Sequence, residues 1–318
     1  MERPIVAITR KLPGNLEMPD VDLRVGGLEA MTRAELLTFV RGASAIVSWV
    51  SERIDEEVLD AAGPGLRVVA NYAVGYDNID LEACKSRGVI VTNTPHAVTE
   101  GTANLAIALM LAVARRVVEG DRFIREGRWK GVLGPTDFLG LDLTGRTLLI
   151  VGAGRIGYAT ALRAQALGMQ VAYVARSRHW SFELAPLAGR RMDLDEGLSE
   201  ADVVSIHTPL TSQTRHLIDA RRLGLMKPRA ILINTARGPV VDEAALVQAL
   251  RERRIWGAGL DVFEEEPRVH PGLLDLDNVV LTPHMGSAER RFREEMTRMA
   301  LANVRAVLEG REPPNRVV

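Results

Sequence analysis

Residues 148–170 hold the feature that limits this chain most. Four apolar residues, Leu148-Leu149-Ile150-Val151, run without a break into Gly152-Ala153-Gly154-Arg155-Ile156-Gly157. A helix-like stretch, Tyr158 to Leu167, follows, and a second apolar run begins at Gln170. Glycines at this spacing between a buried strand and a helix spell a dinucleotide-binding turn. Gly152 permits the tight turn, Gly154 lets backbone approach a pyrophosphate, and Gly157 lets helix and strand pack closely. The helix start then presents unpaired N–H groups and a partial positive charge to the anion. The glycine spacing alone is weak, since a structural turn can share it; the flanking strand and helix give it meaning.

The fingerprint arrives only near residue 150, after another series of strands and helices. Strand candidates in the first series are Ile5–Thr9, Ala45–Trp49, Val68–Tyr72 and Val89–Thr92, with helical spacing at Arg33–Val40 and Glu56–Ala62. The second series is Thr147–Val151, Gln170–Val174, Val203–His207, Ala230–Asn234, Ala258–Val262 and Val279–Leu281. Strands alternating with helices imply parallel sheets covered on both faces. Two series predict an α/β chain of two doubly wound parallel-sheet domains. Boundaries are expected at the helix beginning near Val98 and at a crossover near Ser287, before a last helix from Ala288 to Leu308.

Bulk properties exclude several functions. The 318 residues suit two domains of roughly 150 residues each. Net charge is −1, so no global field draws the chain to nucleic acid or an anionic membrane. The one cysteine, Cys84, permits no intramolecular disulfide, fits a reducing compartment and reads as an inert residue of a helix. The start, Met1-Glu2-Arg3-Pro4-Ile5, lacks the apolar core of a signal peptide. The longest apolar run, Leu105 to Ala114, is half the ~20 residues a membrane span needs. The expectation is a cytoplasmic protein. No paired cysteines or His-Glu-x-x-His spacing announce a metal.

Three later segments carry ionisable groups at predicted strand ends: Ile233-Asn234-Thr235-Ala236-Arg237-Gly238, Gly259-Leu260-Asp261-Val262-Phe263-Glu264-Glu265-Glu266-Pro267 and Leu281-Thr282-Pro283-His284-Met285-Gly286-Ser287. Ligands of open parallel sheets bind beyond the carboxyl ends of strands, so an Arg, an acid and a His there can converge on one substrate. With Asn71-Tyr72-Ala73-Val74-Gly75-Tyr76-Asp77-Asn78-Ile79-Asp80 and His207-Thr208-Pro209-Leu210, these segments resemble the signature of the D-isomer-specific 2-hydroxyacid dehydrogenases over nearly the whole chain. Within that family, Tyr-Ala-Val-Gly-Tyr-Asp-Asn and His-Met-Gly-Ser resemble glyoxylate/hydroxypyruvate reductases most.

The resemblance implies a discontinuous, flavodoxin-like substrate domain from residues 1–98 and 287–318, and a Rossmann dinucleotide-binding domain from 99–286. It implies reduction of a small 2-oxo acid, glyoxylate or hydroxypyruvate, to the D-2-hydroxy acid by a homodimer. Arg237 can hold the substrate carboxylate through its planar fork and polarise the ketone. His284 is the candidate general acid, and Glu266 would favour its charged form. By resemblance, Val74, Gly75 and Ser287 join Arg237 and His284 at the substrate. Likewise Thr102, Thr208, Pro209, Thr235, Ala236, Asp261, His284 and Gly286 join Gly152, Gly154, Arg155, Ile156 and Gly157 at the cofactor. His96, His179, His207, His216 and His270 read as structural or solvated. Trp129 resembles a tryptophan that relatives donate across the dimer, and reads equally as an interface or core aromatic. Asn104 and Met285 depart from the family pattern without removing a catalytic group, and His96, after Thr94-Pro95, departs from it in the loop on the cofactor side.

Cofactor choice is written after Val174. NAD-specific domains place an acid about 20 residues past the glycines to bind the ribose 2′-OH. Here no Asp or Glu occurs from Tyr158 through Phe182, and Arg176-Ser177-Arg178 follow the strand. Two guanidinium groups and a hydroxyl predict NADP over NAD, although NAD remains possible if the arginines are a solvated turn. Two other readings stay open. A phosphoglycerate dehydrogenase would need further cations for its phosphate and often a further C-terminal domain. A cofactor-sensing corepressor-like module would keep the same Arg/Glu/His set.

Overall fold

The structure, a computed structural model, describes residues 3–318; Met1 and Glu2 of the leader reading lie outside the described residues. The chain forms two compact units, Met1–Val98 with Ser287–Val318, and Thr99–Gly286.

The first unit is built on five parallel strands: β1 (Ile5–Ile8), β2 (Asp22–Val25), β3 (Ala45–Ser48), β4 (Val68–Asn71) and β5 (Ile90–Thr92), in the order β2-β1-β3-β4-β5. This is the flavodoxin-like order. β3 and β4 are buried at every position, as parallel strands covered on both faces must be. The helices between them start on side-chain caps. Thr32 forms a capping box with Glu35, and Asp55 and Asp80 accept from Val58 and Ala83 N–H.

The last helix, Arg290–Leu308, belongs to this sheet. Thr297 Oγ1 donates to Pro13 O at 2.7 Å, and Arg67 donates to the helix-end carbonyls of Val307 and Leu308 at 2.6 and 2.9 Å. The tail beyond it adds Val317 N–H to Val91 O at 2.7 Å. β2 has no counterpart in the sequence reading. Its Asp22-Leu23-Arg24-Val25 lies on the sheet edge, half exposed, and lacks the apolar run that marks the inner strands.

The second unit carries seven parallel strands: β6 (Thr147–Val151), β7 (Gln170–Val174), β8 (Arg190–Arg191), β9 (Val203–Ile206), β10 (Ile231–Asn234), β11 (Gly257–Leu260) and β12 (Val279–Leu281). Their order is β12-β11-β10-β9-β6-β7-β8, so the winding direction reverses between β6 and β9. Alternate residues of one strand serve opposite faces. Leu148 and Ile150 join the core under the helices Thr99–Ala114 and Arg155–Ala166, while Leu149 and Val151 join the core on the other side. Thr99–Ala114 buries eight residues from Gly101 to Ala114 and packs on β10, β11 and β12. The next helix, Val117–Arg125, buries none. β8 was also unread: two arginines on an outer edge carry no strand-like pattern.

Candidate active site

Parallel winding puts the carboxyl ends of β6, β7, β9, β10, β11 and β12 on one edge of the second sheet, and the sequence-predicted groups of this unit other than Thr102, which lies on the helix Thr99–Ala114, follow those ends. After β6 the chain turns at Gly152, whose φ of +107° suits glycine alone. A Cβ there would lie 2.6 Å from His207 O, and one at Gly157 would lie 2.4 Å from Gly152 O. Gly154 differs: a Cβ on it would meet nothing within 4 Å, so packing does not demand a glycine there. Backbone bared toward open space is what close approach of a pyrophosphate requires.

The helix starts at Arg155, three residues earlier than the sequence reading. Gly154 caps it without a side chain, and its first turn has no acid. The first-turn N–H groups of Arg155, Ile156 and Gly157 thus lack intrahelical partners beside this open backbone. Thr235, just past β10, has a buried hydroxyl with no partner among the described residues. An orphaned hydroxyl and a bared glycine turn both fit a dinucleotide.

Past β10, buried Asn234 shapes the turn that carries Arg237. Its Oδ1 accepts Ala236 N–H at 3.1 Å, and its Nδ2 donates to Arg237 O at 2.9 Å. Past β12, His284 sits at φ +52°, a left-handed conformation that costs about 1 kcal/mol or more for a non-glycine residue. Asp261 holds it there. That carboxylate, 1% exposed, accepts Thr282 Oγ1 at 2.6 Å and the N–H groups of Met285 and Gly286 at 2.8 Å each. The backbone N–H of His284 itself donates to Asp261 O at 2.8 Å. Burial pushes the Asp261 carboxyl above its ordinary range, against those hydrogen bonds and the charge of His284.

The imidazole Nδ1 meets Glu266 Oε2 at 2.7 Å, and Glu266 Oε1 accepts Phe263 N–H at 3.0 Å. Burial pushes the Glu266 carboxyl up. The hydrogen bond and charge of His284, the Phe263 N–H and the charge of Arg237 outweigh it and hold the carboxyl below its ordinary range. Arg237, Glu266 and His284 therefore form one electrostatic group.

In the first unit, Val74 and Gly75 lie in the loop after β4. Asn93 Nδ2 donates to Val74 O at 2.8 Å and Asn71 Nδ2 to Gly75 O at 2.7 Å. With both carbonyls tied down, the N–H groups of Val74 and Gly75 have no acceptor among the described residues. Ser287 O accepts Arg293 Nε at 3.1 Å; the Arg293 guanidinium lies over Trp49, which stacks on Tyr72.

The profile of the family described as "D-isomer specific 2-hydroxyacid dehydrogenase, NAD binding domain" matches residues 107–286. A glyoxylate reductase of Thermococcus onnurineus is 51% identical, the match covering 99% of this chain and 96% of that protein. Among solved structures, a protein of Thermus thermophilus superposes with a TM-score of 0.92 at 51% identity, covering 99% of this chain and 100% of the other. An NADPH-dependent glyoxylate/hydroxypyruvate reductase of Sinorhizobium meliloti, in complex with NADP and malonate, gives 0.83 at 33% identity, covering 100% and 97%. The chain belongs to the D-isomer-specific 2-hydroxyacid dehydrogenase family. These are oxidoreductases, and the second unit carries the family's NAD-binding domain.

The remaining predicted residues fall around this frame. Thr102 is buried, its Oγ1 3.3 Å from where a Cβ on Gly286 would stand. Thr208 and Pro209 follow β9, and Ala236 lies beside Arg237. Arg176, Ser177 and Arg178 are exposed past β7. Asn104 accepts Arg163 Nε at 2.8 Å and so joins two helices. Among the histidines, His216 pairs with Glu264, His270 Nδ1 accepts Gly272 N–H, and His207 contacts Ser205 Oγ at 2.8 Å. Burial pushes the Cys84 thiol up to about 11. Among the described residues no cluster of His, Cys, Asp or Glu could hold a metal, and no single helix is long and apolar enough to cross a membrane.

Sequence reasoning missed Glu243. It is 5% exposed, and its two oxygens accept Glu264 N–H at 2.8 Å and His270 N–H at 2.9 Å, anchoring the loop that carries Glu266. Only its place after Asp242 at a helix start hinted at it.

His207 supplies a pH test. Burial pushes its imidazole down to about 3, from an ordinary 6.5. The unfolded chain then takes up a proton there as pH falls below 6.5 while the folded chain does not, so stability is full above that pH and lost toward 3. Calorimetric melting of wild type should fall more steeply across this window than that of His207→Gln. Parallel curves would show that this imidazole is not the source.

Proposed function

We propose that this protein is an NADPH-preferring glyoxylate/hydroxypyruvate reductase. The observation that carries the reaction is the 2.7 Å contact of His284 Nδ1 with Glu266, under the charge of Arg237, on the sheet edge that bears the glycine turn. When bound, the cofactor supplies a hydride to the carbonyl carbon of the 2-oxo acid. Arg237 binds the substrate carboxylate and polarises the ketone. His284, its Nδ1 engaged by Glu266, donates a proton from Nε2 to the forming alkoxide. Asp261 keeps the imidazole aimed, and Thr102, Thr235, Ala236, Thr208, Pro209 and Gly286 line the cofactor.

The names of the similar proteins support this substrate class. A cofactor carrying a 2′-phosphate is supported by the exposed Arg176-Ser177-Arg178 after β7 and by the NADP complex of the Sinorhizobium relative.

The assembly we propose is a two-fold dimer. Helix Val117–Arg125 buries no residue. Val117, Ile124, Trp129 (58% exposed), Val132 (99%), Leu133 and Leu139 put apolar surface in water across a single segment. Apolar surface gathered like this marks an interaction site, and two-fold pairing is the commonest solution.

Three measurements follow. With NADPH and glyoxylate, His284→Ala should lower kcat by about 100-fold or more through loss of the proton donor, while Arg237→Ala should harm both KM and kcat. Glu266→Gln removes the anion that favours imidazolium, so the alkaline limb of reduction should move to lower pH; an unmoved limb would refute its role. Second, kcat/KM should be higher with NADPH than with NADH, and equal or reversed values would defeat the cofactor choice. Third, light scattering at micromolar concentration should give twice the chain mass, and a monomer mass would reject the dimer.

A further inference from the structure

The turn after β7 brings together more charge than its own sequence shows. Arg191 stands on β8, paired with Tyr173 of β7 across the parallel ladder. One terminal nitrogen of its guanidinium donates to the carbonyl oxygens of Ala175 at 3.1 Å and Arg176 at 3.2 Å. The group therefore lies against the backbone of the turn where a Rossmann domain receives the adenine ribose. A guanidinium has five N–H donors, so this anchorage leaves others for a ligand.

Arg178 is placed differently. Its Nε lies 2.6 Å from Glu183 Oε2, and its guanidinium stacks over Trp180 at 4.3 Å. Glu183 is the first acid after Phe182, one residue beyond the acid-free stretch. Its side chain is 13% exposed, and its other oxygen accepts the hydroxyl of buried Tyr173 at 2.6 Å. That hydroxyl in turn accepts His179 N–H at 3.0 Å. Arg178, though exposed, is thus paired with a carboxylate that is itself fixed. A phosphate brought to Arg178 would face Glu183 across a direct ion pair, whereas one brought to Arg176 and Arg191 meets two cations that make no ion pair with Glu183, whose charge reaches Arg191 only at longer range.

We propose that Arg191, with Arg176, receives the 2′-phosphate of NADP(H), and that Arg178 is a strut, locked by Glu183 and Trp180, that shapes the turn. This rests on the reading that the turn binds a 2′-phosphorylated ribose. It changes which residues carry the selectivity, and it draws in a residue from a neighbouring strand.

Titration of NADPH and of NADH into the intact enzyme, followed calorimetrically, tests it. Arg191→Gln should raise the Kd for NADPH about tenfold or more while changing that for NADH less than about twofold, because only one cofactor carries the phosphate. Arg191→Lys keeps the cation without the fork and should recover part of the loss. Arg178→Gln should lower the melting temperature and weaken both cofactors alike. Selective loss of NADPH in Arg178→Gln with Arg191→Gln unaffected would overturn the assignment. Equal loss of both cofactors in Arg191→Gln would overturn it too, reducing Arg191 to a structural role. A wild type that binds NADPH no tighter than NADH would overturn the cofactor choice, while the effect of Arg191→Gln on NADPH binding would still decide this one.

Discussion

Parallel strands end on the same edge of a sheet, and everything this chain's second unit offers to a ligand follows from that. A strand that must return to the same edge needs a crossover, here usually a helix, so each carboxyl end opens into a loop with a fixed root. Gly152, Thr208, Thr235, Asp261 and His284 all lie within three residues past the ends of their strands. They come from positions spread over more than a hundred residues, yet share an edge without any loop having to reach far. The reversal of winding between β6 and β9 parts the crossovers at the glycine turn, and sheets of this kind take their ligands at such a switch point.

Strand ends alone do not aim side chains. Aiming is done by buried carboxylates that accept backbone N–H groups. Asp261 gathers Met285 and Gly286 around a histidine in a strained conformation, and Glu243 gathers Glu264 and His270 around the loop that bears Glu266. A charge at 1% or 5% exposure is costly unless its lone pairs are filled, and each of these is filled by donors from the loop it must hold. The cost of burial and the rigidity of the loop are therefore one fact: opening the loop would leave the carboxylate unpaired.

This explains how much could be read in advance. The inner strands of both sheets were legible because covered parallel strands must be apolar throughout, and the fingerprint because its glycines answer to local backbone demands at Gly152 and Gly157. β2 and β8 escaped because an edge strand can be charged; Arg190-Arg191 is a strand only by virtue of β7 beside it. Arg237, Glu266 and His284 were singled out through the family's order of motifs, and the meeting of His284 with Glu266 under the charge of Arg237 is a product of the fold. Glu243, Glu183 and Arg191 act on partners 21, 10 and 16 residues away, through contacts that no periodicity announces.

Burial also divides labour among the acids. A brace must not change its charge during turnover, and both braces are sealed from water. A proton donor must be recharged from water after each turnover, so it cannot be sealed. The side chains of His284 and Glu266 are 31% and 34% exposed, enough for exchange with solvent, and the imidazole faces its partner through Nδ1, so that pairing does not occupy Nε2, the atom the proposed reaction uses. Glu266, held below its ordinary range by His284 and Arg237, stays an anion through the same cycle. In the proposed reaction that leaves the imidazole, of the three groups Arg237, Glu266 and His284, to carry the proton, and imidazole is the side chain suited to giving one up and regaining it in every cycle.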